Sequence, residues 1–210
     1  MRQLLKLVRK AMPASHAAVV VAGLGRCGTT LIHDAIIHSS IRYRISGTFA
    51  VDLERTAFKR SYVYKTHDFP PDHLPADVKV IYMFGNPMDA AVSAFKAFSE
   101  QSKHYRHVKS PYSAEHGRMF EKDVMLMEEH FDRWMQRQAF SFLSVRYESI
   151  YDQGVARAIS EYLGVEITLP PRLARRSSWQ DHPDRQKLLA TYGSLAAKVS
   201  EAPNVRLWHR

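Results

Sequence analysis

Residues 19–30 read VVVAGLGRCGTT, and the residues that follow, 31–37, read LIHDAII. The first run is apolar and β-branched, which predicts a strand buried on both faces, and the last run has apolar residues at helical spacing. Glycines between a strand and a helix expose backbone N–H groups to an anion, and the helix dipole adds positive potential. The stretch therefore predicts a phosphate cradle with Thr29 and Thr30 as hydroxyl donors. A strand-turn-helix unit without a ligand is the alternative.

The spacing from Gly23 to Gly28 fits the phosphate-loop pattern G-x-x-x-x-G-K-[ST] except at the lysine. Thr29 stands where that lysine reaches the β- and γ-phosphates of a nucleoside triphosphate. The nearest cation is Arg26, inside the loop. The pattern predicts an anion site that differs from that of a kinase.

The chain has 210 residues, which suits one α/β domain, predicted over residues 17–210. Its formal net charge is +9, so an anionic ligand or surface is expected. No aromatic-rich Lys/Arg module is found, and a nucleic-acid partner is not expected.

A single cysteine, Cys27, excludes an internal disulfide framework and fits a reducing, cytoplasmic compartment. It is interpreted as a small residue in a tight turn; a thiolate favoured by the helix start is the alternative. One cysteine without metal-ligand spacing predicts no metal site.

Residues 1–16 begin with alternating basic and apolar side chains and reach Pro13, which predicts a short basic amphipathic helix. A solvated flank packed on the domain is favoured over contact with a membrane surface. No stretch has the length of a membrane span.

Alternating strands and helices along the chain predict a parallel sheet. The further strands are predicted at 41–45, 61–65, 78–84 and 140–145, and the helices at 52–60, 88–100, 120–137, 148–163 and 185–199. The polar stretch 101–117 is predicted to be a long loop near the site. Because ligands bind at the carboxyl ends of parallel strands, residues 23–30, 65–67 and 85–93 are expected at one rim.

These segments together resemble the sulfotransferase family, which transfers a sulfuryl group from 3'-phosphoadenosine 5'-phosphosulfate. The loop Arg26-Cys27-Gly28-Thr29-Thr30 is similar to the family's [KR]-S-G-T-T loop, and Lys65-Thr66-His67 resembles its K-T-H segment. Residues 81–93 resemble I-Y-x-x-R-N-P-x-D-x-x-V-S, and 142–148 resemble a strand ending in R-Y-E. Ser177-Ser178-Trp179 looks like the adenine-side T-S-F segment. The resemblance covers about residues 17 to 180.

The resemblance implies a P-loop nucleotide-hydrolase-like fold with three layers, a single parallel sheet flanked by helices. It implies donor contacts from the loop and from more distant residues, namely Arg26, Cys27, Gly28, Thr29, Thr30, Ser93, Tyr147 and Trp179. It also implies catalytic roles for His67 as the base and for Lys65 and Arg26 as cations. No metal is implied, and the acceptor is a hydroxyl on a small molecule or a glycan.

The chain departs from the family at Gly85, where an arginine holds the donor's 3'-phosphate, and at Leu31, where cytosolic members have a tryptophan. The C-terminal R-K-G phosphate loop of the family is not recognisable. Replacement of the arginine by Arg146, Arg175 or Arg176 is left open. Two other functions therefore stay in consideration: a P-loop kinase or nucleotide hydrolase, and an inactive nucleotide- or anion-binding protein on the same fold. The oligomeric state is not predicted.

Overall fold

The structure, a computed structural model, describes residues 16–40, 43–45, 49–97, 115–173 and 178–210. The predicted helix over residues 1–16 lies outside the described residues except for His16, and so does the loop 101–117 up to residue 114. Arg175 and Arg176 also lie outside them.

The fold is α/β, with six described strands in one mostly parallel sheet. The strands are β1 (Val19–Gly23), β2 (Arg44–Ile45), β3 (Tyr62–Thr66), β4 (Lys79–Phe84), β5 (Phe142–Arg146) and β6 (Val205–Trp208). Their spatial order is β2-β3-β1-β4-β5-β6. The first five are parallel, and β6 pairs antiparallel with β5. The strand β1 is central because its residues are apolar on both faces, so only an interior position buries them all.

Five described helices flank this sheet. They are α1 (Thr29–Ser39), α2 (Pro87–Ala97), α3 (Met127–Trp134), α4 (Gln153–Leu163) and α5 (Arg185–Glu201). Alternate β1 side chains face opposite layers: Val19 and Val21 pack in an aliphatic cluster with α1 and α4, while Val20 and Ala22 belong to an aromatic-rich cluster with α2, α3 and α5. None of the described helices is long and apolar enough to span a membrane.

The helix predicted at 52–60 is wrong, because residues 51–60 form turns and extended backbone. Side chains from outside the segment accept its N–H groups: Asp68 accepts the Leu53 N–H at 2.9 Å, and the Tyr64 hydroxyl accepts the Lys59 N–H at 2.8 Å. These bonds anchor the segment to the end of β3 instead.

Two other predicted helices are shorter than expected. The helix predicted at 120–137 is confined to α3, because Leu126 adopts a left-handed conformation (φ 54°) and the Asp123 carboxylate accepts the Glu128 N–H at the start of α3. The helix predicted at 148–163 begins only at Gln153, after a 3₁₀ turn over Tyr147–Ser149. The antiparallel strand β6 was not predicted.

Candidate functional site

The loops that follow β1, β3 and β4 meet at the carboxyl edge of the sheet, as parallel pairing requires. Residues 24–28 follow β1, His67 follows β3, and Gly85 with Asn86 follows β4. The three segments predicted for one rim therefore lie on it.

The loop after β1 reaches α1 through two residues with positive φ, Arg26 at 66° and Gly28 at 83°. A Cβ atom at Gly28 would lie 2.3 Å from Tyr147 Cδ2, so the backbone there touches the Tyr147 ring and only glycine fits. No side chain caps the first turn of α1. Its N-terminal N–H groups and the helix dipole are consequently suited to bind an anion.

Two cations stand beside this helix end, each hydrogen-bonded to a hydroxyl group. Arg26 Nε donates to Ser93 Oγ of α2 at 3.0 Å, and Lys65 Nζ donates to Thr30 Oγ1 at 3.0 Å. Burial lowers the pKa of Lys65, the nearby Asp34 opposes that shift, and Arg26 adds to it. An anion placed between the two cations would relieve their mutual repulsion.

His67 is buried, with 5% of its surface exposed, and its orientation is fixed by the backbone of β1. Its Nδ1 donates to the Gly23 carbonyl at 2.7 Å, since a carbonyl oxygen only accepts. In the neutral ring the lone pair then belongs to Nε2. This is the tautomer that a general base at Nε2 needs.

The backbone after His67 is held by α3. The Asp68 carbonyl accepts hydrogen bonds from His130 Nε2 at 2.9 Å and from Trp134 Nε1 at 3.0 Å. Sequence reasoning missed both residues, although their spacing of four puts them on one face of a helix. Phe49 was missed as well: its ring lies 5.3 Å from the His67 ring, and Lys65 Nζ lies 5.5 Å from its centroid. No sequence signal indicated that contact.

A cavity of about 190 Å³ joins these groups. It is lined by Arg26, Gly28, Thr29, Thr30, Lys65, His67 and Tyr147, all of which were predicted site residues. A second cavity, of about 500 Å³, shares Tyr147 and Leu31 borders it. A small cationic cavity therefore lies beside a larger one whose walls are mostly apolar and aromatic and include the charged residues Glu148 and Arg172.

Three predicted donor residues do not line either cavity. The Cys27 side chain is buried in the core, and its N–H donates to Leu24 O at 3.2 Å. Trp179 packs against the aromatic-rich cluster, and its N–H donates to Asp89 Oδ1 at 3.0 Å. Ser93 reaches the site only through Arg26.

The rim beyond β4 carries negative rather than positive charge. At Gly85, an added Cβ would lie 3.1 Å from both carboxylate oxygens of Glu148, and Glu148 Oε1 accepts the Asn86 N–H at 3.0 Å. Arg146 does not replace the missing arginine, because its Nη2 donates to the carbonyls of Ser200 and Ala202 at the end of α5.

No model of a known protein family matches the chain, and no curated protein matches it either. An α/β sheet here brings a buried histidine, two cations and an uncapped helix N-terminus around one cavity.

Proposed function

We propose that the protein is a sulfotransferase on a P-loop-like fold. It moves a sulfuryl group from 3'-phosphoadenosine 5'-phosphosulfate to an acceptor hydroxyl on a small molecule or a glycan. The observation that carries this proposal is the shared cavity of His67, Lys65 and Arg26 at the N-terminus of α1. Sulfuryl transfer needs a proton acceptor on one side of the sulfur and cations on the other, and this cavity contains both kinds of group.

Arg26 and Lys65 stabilise the charge that develops during transfer. Like phosphoryl transfer, sulfuryl transfer has a loose, in-line transition state in which charge builds on the equatorial and leaving oxygens. Arg26 and the N–H groups at the start of α1 bind the departing phosphate, and Lys65 binds the oxygens of the moving group. Fixed cations in a cavity are effective because they need no reorganisation during the reaction.

His67 takes the acceptor's proton at Nε2. The hydrogen bond from Nδ1 to Gly23 O supports this role, because it fixes the ring and stabilises the imidazolium that forms. The acceptor oxygen forms a bond to sulfur while the bond from sulfur to the bridging phosphate oxygen breaks. The electron pair of the broken bond stays on the phosphate, and the proton on His67 then leaves to solvent.

A second candidate is supported by the Glu148 carboxylate beside Gly85. A carboxylate at this point does not attract a 3'-phosphate, which favours a nucleotide- or anion-binding protein without transfer. The two candidates differ in turnover and in preference for the 3'-phosphate.

The test uses His67→Ala and His67→Asn, with His73→Ala as the control at an exposed histidine. Asparagine preserves a donor toward Gly23 O but has no basic nitrogen, so it separates loss of the base from loss of the fold. Transfer should fall about 10²- to 10⁴-fold in both variants and should recover in part with added imidazole for His67→Ala. Affinity for 3'-phosphoadenosine 5'-phosphate, measured by calorimetry beside ADP, should stay unchanged.

Unchanged transfer in His67→Asn would overturn the assignment of His67 as the general base. Equal affinity of the wild-type protein for the two nucleotides, without any transfer, would favour the second candidate.

A further inference from the structure

A third cavity, of about 490 Å³, opens between residues 49–59 and the side chains of β3. The lining residues that matter for a ligand are Phe49, Asp52, Arg55, Lys59, Tyr62 and Tyr64. Its volume lies within the range of small-molecule sites, and it is more than twice that of the cavity around His67. This space has no part in the donor contacts described above.

Phe49 connects this cavity to the reacting groups. Its ring lines the cavity, and the same ring lies 5.3 Å from the His67 ring. The wall is fixed, because the Ala50 N–H donates to Lys65 O at 3.1 Å and the Leu53 N–H donates to Asp68 Oδ2 at 2.9 Å. In a complex with a molecule packed on Phe49, only the Phe49 ring would lie between that molecule and His67.

Two tyrosines of β3, Tyr62 and Tyr64, add aromatic surface to the cavity. The Tyr62 and Tyr64 ring centroids are 6.4 Å apart, and Phe58 packs edge-on against Tyr64 at 5.2 Å. The Tyr64 hydroxyl is used internally, since it accepts the Lys59 N–H and donates to Ala57 O. Tyr64 therefore offers a ligand its ring surface, and together with the Tyr62 ring it can pack against the flat face of an aromatic or sugar ring.

The charged residues of the cavity sum to one positive charge. Asp52 pairs with Arg55, whose Nε lies 3.4 Å from Asp52 Oδ2. Lys59 is exposed and forms no ion pair within the described part of the chain. An acidic group on a bound ring would find its counter-ion there.

We propose that this cavity binds the acceptor, and that the acceptor is a hydroxylated ring compound carrying a carboxylate, which Lys59 pairs with at the mouth. The inference rests on the proposed sulfuryl transfer. The ring packs on Phe49 and Tyr62, and its hydroxyl points past Phe49 to His67. That hydroxyl oxygen bonds to the donor's sulfur, its proton passes to His67 Nε2, and the bridging oxygen leaves on the nucleotide phosphate.

Two matched pairs of acceptors distinguish the ring chemistry. 4-Hydroxyphenylacetate is compared with 2-(4-hydroxyphenyl)ethanol, and glucuronate with glucose. In the pair whose ring fits the cavity, the acid should be preferred about two- to fivefold in kcat/KM, which is the range expected of an exposed ion pair. Lys59→Gln should bring that ratio close to one by lowering kcat/KM for the acid. Arg60→Gln is the control, because Arg60 pairs with Asp77 outside the cavity lining.

Binding of the same compounds without donor, followed by saturation-transfer NMR, separates the cavity from the transfer. Binding of an acid that Lys59→Gln weakens supports the cavity even where no transfer occurs, in which case only the proposed function fails. Transfer with no preference for an acid, or a ratio that Lys59→Gln leaves unchanged, overturns the inference and leaves the transfer standing. Absence of binding by all four compounds overturns it as well.

Discussion

Two neighbouring strand-loop-helix units, β1 to α1 and β4 to α2, end at the same edge of the sheet and have opposite chemistry. The first unit has a five-residue loop, a left-handed Gly28 and no side-chain cap on α1. Arg26 and Lys65 surround its helix N-terminus. Its N–H groups and cations all favour an anion.

In the second unit, a side chain of the connecting loop already bonds the N–H groups at the start of α2. After the two-residue link of Gly85 and Asn86, Asn86 Oδ1 accepts the N–H groups of Met88 and Asp89 at 3.0 and 3.1 Å. Glu148 bonds the Asn86 N–H, and Asp89 lies in the first helical turn. Its dipole is already compensated by protein groups.

The difference shows that adjacent helix N-termini in one sheet need not act alike. An open, glycine-rich connection exposes N–H groups to a ligand, whereas a short connection closed by an Asx cap uses them for folding. In this protein, the first unit is the one we propose for anion binding.

The largest effect is expected from a substitution that disrupts the loop of the first unit. Gly28→Ala should lower the free energy of unfolding by about 1–3 kcal/mol, because alanine is strained at φ 83° and its Cβ would meet the Tyr147 ring. Sulfate affinity should fall at least about tenfold, since the loop that exposes the N–H groups must move. Urea unfolding and a sulfate titration measure both quantities.

Gly85→Ala is the matched control, because φ at Gly85 is not in the positive range and the nearest groups are the movable Glu148 oxygens and Tyr147 Cβ. We expect it to change the free energy of unfolding by less than about 1 kcal/mol and to leave sulfate affinity unchanged. Equal losses in the two variants would contradict the assignment of the anion to the first unit.

A smaller effect is expected at Lys65, whose protonation should be coupled to anion binding in the first unit. Its pKa is lowered by burial, so its charge is present below that pKa and is lost as pH rises through it, earlier than for an exposed lysine. Anion binding favours the charged form and raises the pKa again, so binding in the alkaline range must take up protons. Calorimetry in two buffers of different ionisation enthalpy measures this uptake.

Lys65→Arg should abolish the uptake, because arginine stays charged. Lys65→Gln should weaken the anion about tenfold at neutral pH. The same uptake in Lys65→Arg would show that another group titrates. Lys96→Arg, at an exposed lysine of α2, serves as the control.

The smallest effect concerns the second unit. Asn86→Ala removes the cap of α2 and should lower the free energy of unfolding by about 1 kcal/mol. Sulfate affinity should not change, because no anion depends on this helix end. A gain in anion affinity would mean that the asparagine alone was keeping the second unit from acting like the first.

The strands of the sheet that consist of long apolar runs could be predicted from the sequence. Runs such as 19–22 and 78–84 are too apolar for an exposed position, so their place in a parallel sheet follows from sequence. The turns at 52–60 could not be predicted, because the Tyr64 and Asp68 side chains that hold them come later in the chain. The antiparallel β6 could not be assigned, because this edge strand has only four residues and none of them is fully buried, so it lacks the long apolar run of the inner strands.

The candidate site likewise has a part that the sequence predicts and a part that depends on tertiary contacts. Arg26 and His67 follow strands and Lys65 lies near the end of β3, so the rule that ligands bind at the carboxyl ends of parallel strands brings them together. The contacts of Phe49, His130 and Trp134 depend on tertiary packing that no spacing in the sequence records. The carboxylate over Gly85 was also not foreseen, because it requires the exact approach of two loops.

The hydrogen bonds from Arg26 to Ser93 and from Lys65 to Thr30 have a consequence for conformational entropy. Immobilising a long cationic side chain costs up to about 2 kcal/mol in lost rotamer freedom. Here the hydroxyl groups order both cations while the chain folds, before any ligand arrives. An incoming anion therefore exchanges hydrogen-bond partners without freezing two flexible chains, and its association should carry a smaller entropic penalty than binding to mobile surface lysines and arginines.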